Sequence, residues 1–135
     1  MKPKLEGLAP LLQVFDMPTS IRFYRDLLGF EVAATSPARG PDDYDWALLR
    51  LDGIELMLNT AYEFDERPST PAPNRAAAHR DTALFFGCRD LDAAYSYFRT
   101  SGLELKEPKV APYGMQQLWT SDPDGYVICL QWPVA

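Results

Sequence analysis

The stretch DMPTSIRFYRDLLGFEV, residues 16–32, has a counterpart later in the chain, DLDAAYSYFRTSGLEL, residues 90–105. Each opens on an aspartate, whose carboxylate can accept the free backbone N–H groups of a first helical turn. Apolar residues then recur at helical spacing, Ile21, Tyr24, Leu27 and Leu28 in one copy, Leu91, Ala94, Tyr95 and Phe98 in the other. Each copy stops at a glycine, Gly29 or Gly102, which can take the left-handed conformation without a Cβ penalty. The chain therefore carries the same capped helix twice.

The flanks repeat too. An apolar run precedes each helix, residues 11–15 and 84–88, and another follows, residues 30–33 and 103–105. Each half ends in a hairpin signal: WALLRL and IELML are joined by Asp52-Gly53, and MQQLWTS and YVICLQW are joined by DPDG, residues 122–125. The pattern predicts an α+β fold of two tandem βαβββ modules, residues 1–60 and 81–135, forming one structural domain. The segment between them, 61–80, contains ERPSTPAPNRAAAHR, whose prolines exclude a sheet interior and mark a connector. Its length predicts a mobile flap or an interface arm.

Composition narrows the function. A chain of 135 residues, 47% hydrophobic and 13% aromatic, can fill a core. Its formal net charge of −6 and lack of a basic run argue against a nucleic-acid partner, which requires clustered Lys and Arg. No apolar run approaches the roughly 18 residues of a membrane span. The opening MKPKLEGLAPLLQVF is interrupted by Glu6 and Pro10 and lacks a cleavage signal, which predicts a cytoplasmic protein. Two cysteines are too few for a disulfide framework and are expected to stay reduced. P-loop, G-x-G-x-x-G, G-x-S-x-G and C-x-x-C motifs are absent. A Ser/His/Asp triad would need His79, the single histidine, which sits in the connector.

The phrase VFDMPTSIRFYRDLLGFEV, the duplicated strand-helix-three-strand plan and the DPDGYVICLQ run resemble the vicinal oxygen chelate superfamily, which includes glyoxalase I, extradiol dioxygenases and bleomycin resistance proteins. The resemblance spans nearly the whole chain. It implies two modules whose strands curl into a cup, and chains that commonly form a homodimer. It implies less about reaction, because one fold carries many chemistries.

Metal-bearing members place one ligand on the first and one on the last strand of each module. By that pattern the first-strand positions, seven residues before each capping Asp, are Ala9 and Ala83. The last-strand positions are the middle residues of Ile54-Glu55-Leu56 and Ile128-Cys129-Leu130, and one repeat interval relates both pairs and the two caps. Two methyl groups, one carboxylate and one thiol do not make an oxygen-rich octahedral site or a zinc site. The resemblance thus implies a degenerate, metal-free member without a cofactor.

Glu55 then requires another explanation, because a bare buried carboxylate costs several kcal/mol. Water, an amide donor such as Gln13, Gln117 or Gln131, or a cationic group on a ligand would each serve; an acid tuned for proton transfer is a further role, and a wet strand residue without function is the plainest. Strand alternation places Leu12, Val14, Ile54, Leu56 and Leu58 toward the helices, and Leu11, Gln13, Glu55, Met57 and Asn59 toward the cup. In the second module Phe85, Cys129 and Gln131 face the same way, with Trp119 as a wall and Tyr113 over the mouth. Apolar walls with a few placed polar groups suit a small organic ligand. Trp46 and Trp132 suit packing, and Cys129, with Glu55 expected nearby to raise its pKa, suits an inert thiol.

The expected function is binding or sequestration of a small amphipathic molecule, favouring a cationic one, with Gln13, Glu55, Met57, Asn59, Phe85, Tyr113, Trp119, Cys129 and Gln131 as the binding residues. The competing expectations are a metal-dependent lyase, isomerase or dioxygenase using Glu55, and an interaction module without a small-molecule ligand.

Overall fold

In a computed structural model, which describes residues 1–134, the chain divides into two compact units, Met1–Ser69 and a second beginning at Thr70. Each contains a four-stranded mixed sheet, so the fold is α+β with two tandem modules.

The first unit runs β1 (Leu11–Val14), α1 (Met17–Ile21), a π-helical segment (Arg22–Leu27), β2 (Glu31–Thr35), β3 (Trp46–Leu51) and β4 (Ile54–Thr60). Its strand order is β1-β4-β3-β2, with β1 parallel to β4 and the other pairs antiparallel. One residue of each alternating strand pair turns to the helix: Val14, Leu49, Leu56 and Leu58 are buried, as are Ile21 and Tyr24 of the helical segment. After α1 the helix widens, with the Leu28 N–H donating five residues back to the Phe23 carbonyl. Phe23 and Tyr24 are both buried there, with Tyr24 edge-on to Phe30. Gly29, at φ +91°, ends the segment as expected.

Asp16 caps α1. Its carboxylate accepts the Thr19 amide at 3.1 Å and the Thr19 hydroxyl, and its other oxygen takes Arg67 Nη1 at 2.6 Å. Burial pushes the Asp16 pKa up, but the Thr19 hydroxyl, Arg67 and the Thr19 amide together outweigh it and hold the pKa below the ordinary 3.8. A depressed folded-state value means the stabilisation is present above pH 3.8 and is lost as pH falls through the folded value. Asp16→Ala is accordingly expected to cost about 1 kcal/mol at pH 7. The gap in melting temperature between variant and parent should narrow at pH 3, and a gap that stays constant would show that the carboxylate charge plays no part.

The second unit runs α2 (Pro73–His79), β5 (Ala83–Gly87), α3 (Leu91–Thr100), β6 (Lys109–Val110), β7 (Met115–Ser121) and β8 (Val127–Pro133), in strand order β5-β8-β7-β6. Asp90 caps α3 through the Ala93 amide at 3.0 Å, and Gly102 at φ +89° ends it. Leu91, Phe98, Leu118, Ile128 and Leu130 form the core.

Two expectations need correcting. Residues 103–105 form no strand; pairing with β7 is limited to Lys109↔Gln117 and Val110↔Gln116. Pro108, which has no N–H to donate, stands immediately before that short ladder. The connector, expected as a flap or arm, contains α2, which is anchored to the β7–β8 turn. Arg75 pairs with Asp124, His79 Nδ1 donates to the Asp124 carbonyl at 2.7 Å, and the His79 ring stacks on Tyr126 at 4.0 Å. Asp122 holds the turn from inside, accepting the amides of Asp124 and Tyr126 at 2.9 and 3.0 Å.

Candidate functional site

The face of the first sheet turned away from α1 carries the expected residues in rows set by register. Leu11 lies opposite Met57, with Leu48 on its other side; Gln13 lies opposite Asn59, with Trp46 beyond; Glu55 lies opposite Arg50. Glu55 thereby has its partner. The Arg50 Nε donates to Glu55 Oε2 at 2.7 Å, and both side chains remain partly exposed. None of the amides weighed from the sequence supplies this contact. Arg50 was legible in the two-residue turn, since Asp52-Gly53 pairs residue 51 with 54 and residue 50 with 55.

The second sheet gathers Phe85, Trp119, Cys129, Gln131 and Tyr113. Cys129, on β8, lies between Phe85 on β5 and Trp119 on β7 in one row. The Phe85 and Trp119 rings lean together, edge to face at 5.3 Å, above the Cys129 side chain. They remain 50% and 44% exposed, while Cys129 is wholly buried. Burial pushes the Cys129 thiol up to about 11; desolvation, rather than a glutamate, is the cause. Cys129 is thus the covered floor of this face and offers a ligand no contact surface.

Gln117, the neighbour of Gln131 across the strands, is only 5% exposed and organises the polar groups. Its amide nitrogen donates to Tyr113 Oη at 2.8 Å and to Gln131 Oε1 at 2.9 Å, and its oxygen accepts the Trp119 indole N–H at 3.3 Å. The sequence pointed to Gln117 only as a possible partner for Glu55; the network needs the β7–β8 register to be seen. Beside it a groove of about 780 Å³ is lined by Tyr113, Gln117 and Trp119, with Val110 on its wall and Lys106 and Lys109 among its rim residues.

The four positions a family metal would use fail as a donor set. Ala9 and Ala83 have no lone pair to offer, Glu55 is engaged by Arg50, and the Cys129 thiol is buried and protonated. Register adds a difference: Leu11 pairs with Met57, but Phe85 pairs with Cys129. Measured from each first strand, Cys129 corresponds to Met57, whereas the sequence interval matches it to Glu55. Among the described residues no group of three or more His, Cys, Asp or Glu side chains is placed to hold a metal ion. His79 is committed to the β7–β8 turn.

Two tandem mixed-sheet modules of one topology define the chain as a small α+β protein. The chain belongs to the Glyoxalase/Bleomycin resistance protein/Dioxygenase superfamily, whose family model matches residues 8–130. Among solved structures it is similar to a glyoxalase/bleomycin resistance protein/dioxygenase from Nocardioides, at 20% identity and TM-score 0.74, over 98% of this chain and 87% of that one. It is also similar to TnmS3, an antibiotic binding protein from Streptomyces sp. CB03234, at 24% identity and TM-score 0.69, over 98% and 100%. A third is lactoylglutathione lyase from Agrobacterium tumefaciens, at 16% identity and TM-score 0.66, over 95% and 94%. These likenesses establish fold. No curated protein matches the chain in sequence. No helix among the described residues is long and apolar enough to cross a membrane.

Proposed function

We propose that the protein binds or sequesters a small amphipathic aromatic molecule on the exposed face of its second sheet, without a metal, as a cytoplasmic homodimer. The observation that carries this reading is the exposed Phe85–Trp119 pair standing beside the Gln117 amide network and a groove of drug-sized volume. Large aromatic surfaces left half in water, with polar groups already oriented beside them, are suited to receive a flat apolar ring. The antibiotic-binding role stated for TnmS3 supports a binding rather than a catalytic use of the scaffold. The missing donors at Ala9 and Ala83 weigh against a metal-dependent lyase, isomerase or dioxygenase. Glu55, already paired with Arg50, gives no reason to favour a cationic ligand.

The test combines metal analysis, sedimentation and a thermal-shift screen of aromatic amphiphiles. Substoichiometric divalent metal, a mass of two chains and stabilisation by a subset of the screen are the expected results. Trp119→Ala should weaken the best binder about tenfold, the equivalent of roughly 1.4 kcal/mol. A full equivalent of metal per chain would overturn the metal-free reading, and a silent screen would favour an interaction module.

A further inference from the structure

The hydrogen-bond polarity of the second sheet's open face is set by one atom. An indole N–H can only donate, so the Gln117 atom facing Trp119 Nε1 must be the amide oxygen. That assignment propagates. With its oxygen committed, Gln117 turns its NH₂ toward Tyr113 Oη and Gln131, and Gln131 must answer with its carbonyl oxygen. Tyr113 Oη accepts from Gln117, which leaves its own proton to donate outward. The Gln131 NH₂ likewise points away from the network. The network thus presents two donors outward, one hydroxyl and one amide, beside an aromatic wall. Charge on the groove rim does not compete, since Lys106 and Lys109 are balanced by Glu104 and Glu107.

We infer that this face selects aromatic molecules whose polar atoms accept hydrogen bonds, such as aryl ketones and other carbonyl-bearing rings, over amine-bearing or purely hydrocarbon rings of the same shape. The inference rests on the binding role proposed above. It replaces the cationic preference expected from the sequence, because the outward Gln131 NH₂ can only donate and would meet an ammonium with its own kind. Gln117 is a positioning residue here, and Tyr113 and Gln131 are the recognising ones.

The experiment is a titration of three probes that share one shape: 2-acetylnaphthalene, 2-isopropylnaphthalene and 1-(2-naphthyl)ethylamine, followed by two-dimensional NMR with the Trp119 indole N–H as reporter. The ketone is expected to bind about fivefold tighter than either of the others, the worth of one net hydrogen bond. Gln131→Glu, which puts an acceptor where the outward NH₂ stood, should make the amine bind tighter than the ketone. Tyr113 is largely exposed, so Tyr113→Phe should keep the fold and reduce the ketone's advantage while sparing the hydrocarbon's affinity. Equal affinities for all three probes, or an amine preference in the parent protein, would overturn the inference and leave the binding role standing. Failure of every probe to bind would overturn both.

Discussion

Gly125→Ala is expected to destabilise the second unit by roughly 3 kcal/mol, combining strain of a left-handed non-glycine residue with a forced overpacking. Gly125 sits at φ +89° in the β7–β8 turn, and a Cβ there would lie 2.5 Å from the Ala76 carbonyl oxygen and 2.8 Å from the Ala76 Cα. Both are backbone atoms of α2, so no side-chain rotation relieves the contact. Relief requires the helix to lift, which separates Arg75 from Asp124 and His79 from Tyr126. Gly102 supplies the control: it has the same φ, with nothing within 4 Å of its would-be Cβ. Gly102→Ala should therefore cost only the backbone term, about 1 kcal/mol. Urea unfolding of the two variants measures the difference, and equal losses would mean that α2 yields freely.

Arg75→Ala is expected to cost a similar amount, about 3 kcal/mol, for an electrostatic reason. The Asp124 side chain is 3% exposed and that of Arg75 13%, so the pair lies where water cannot substitute for a lost partner. Removing the guanidinium leaves a buried carboxylate without its counter-charge, and that residual charge, more than the lost attraction, is the source of the penalty. The double replacement Arg75→Met with Asp124→Asn should recover part of the loss, because it removes both charges. Hydrogen exchange locates the effect: protection should fall first in α2. A cost under about 0.5 kcal/mol would place the pair with ordinary surface ion pairs instead.

The local rules of the sequence carried most of the fold. The caps at Asp16 and Asp90 and the stops at Gly29 and Gly102 were legible because each depends on one or two neighbouring residues. The hairpins at Asp52-Gly53 and DPDG were legible for the same reason. The alternation of β1 and β4 likewise sorted buried Leu12, Val14, Leu56 and Leu58 from the rest, but not Ile54, which stands exposed at the start of β4 beside the turn. What escaped depends on distant partners. A seven-residue helix such as α2 is not stable alone, and its anchors at Asp124, Gly125 and Tyr126 lie some fifty residues away. The proline-rich company of NRAAAH hid a good helix-forming run with Pro73 at its first turn. Glu55 finds its partner not among the cup residues but in Arg50, across its own hairpin. The grouping of Phe85, Trp119 and Cys129 needs three strands in register, which no stretch of sequence contains.

The roof of two rings over Cys129 has a chemical consequence for whatever reactive compound this face meets. With its pKa near 11, the thiol is ionised in only about one molecule in ten thousand at neutral pH. Beneath Phe85 and Trp119 even that fraction has no path to an incoming electrophile. The sulfur at the centre of the face is therefore inert filler, closed to covalent chemistry from the open side of the sheet.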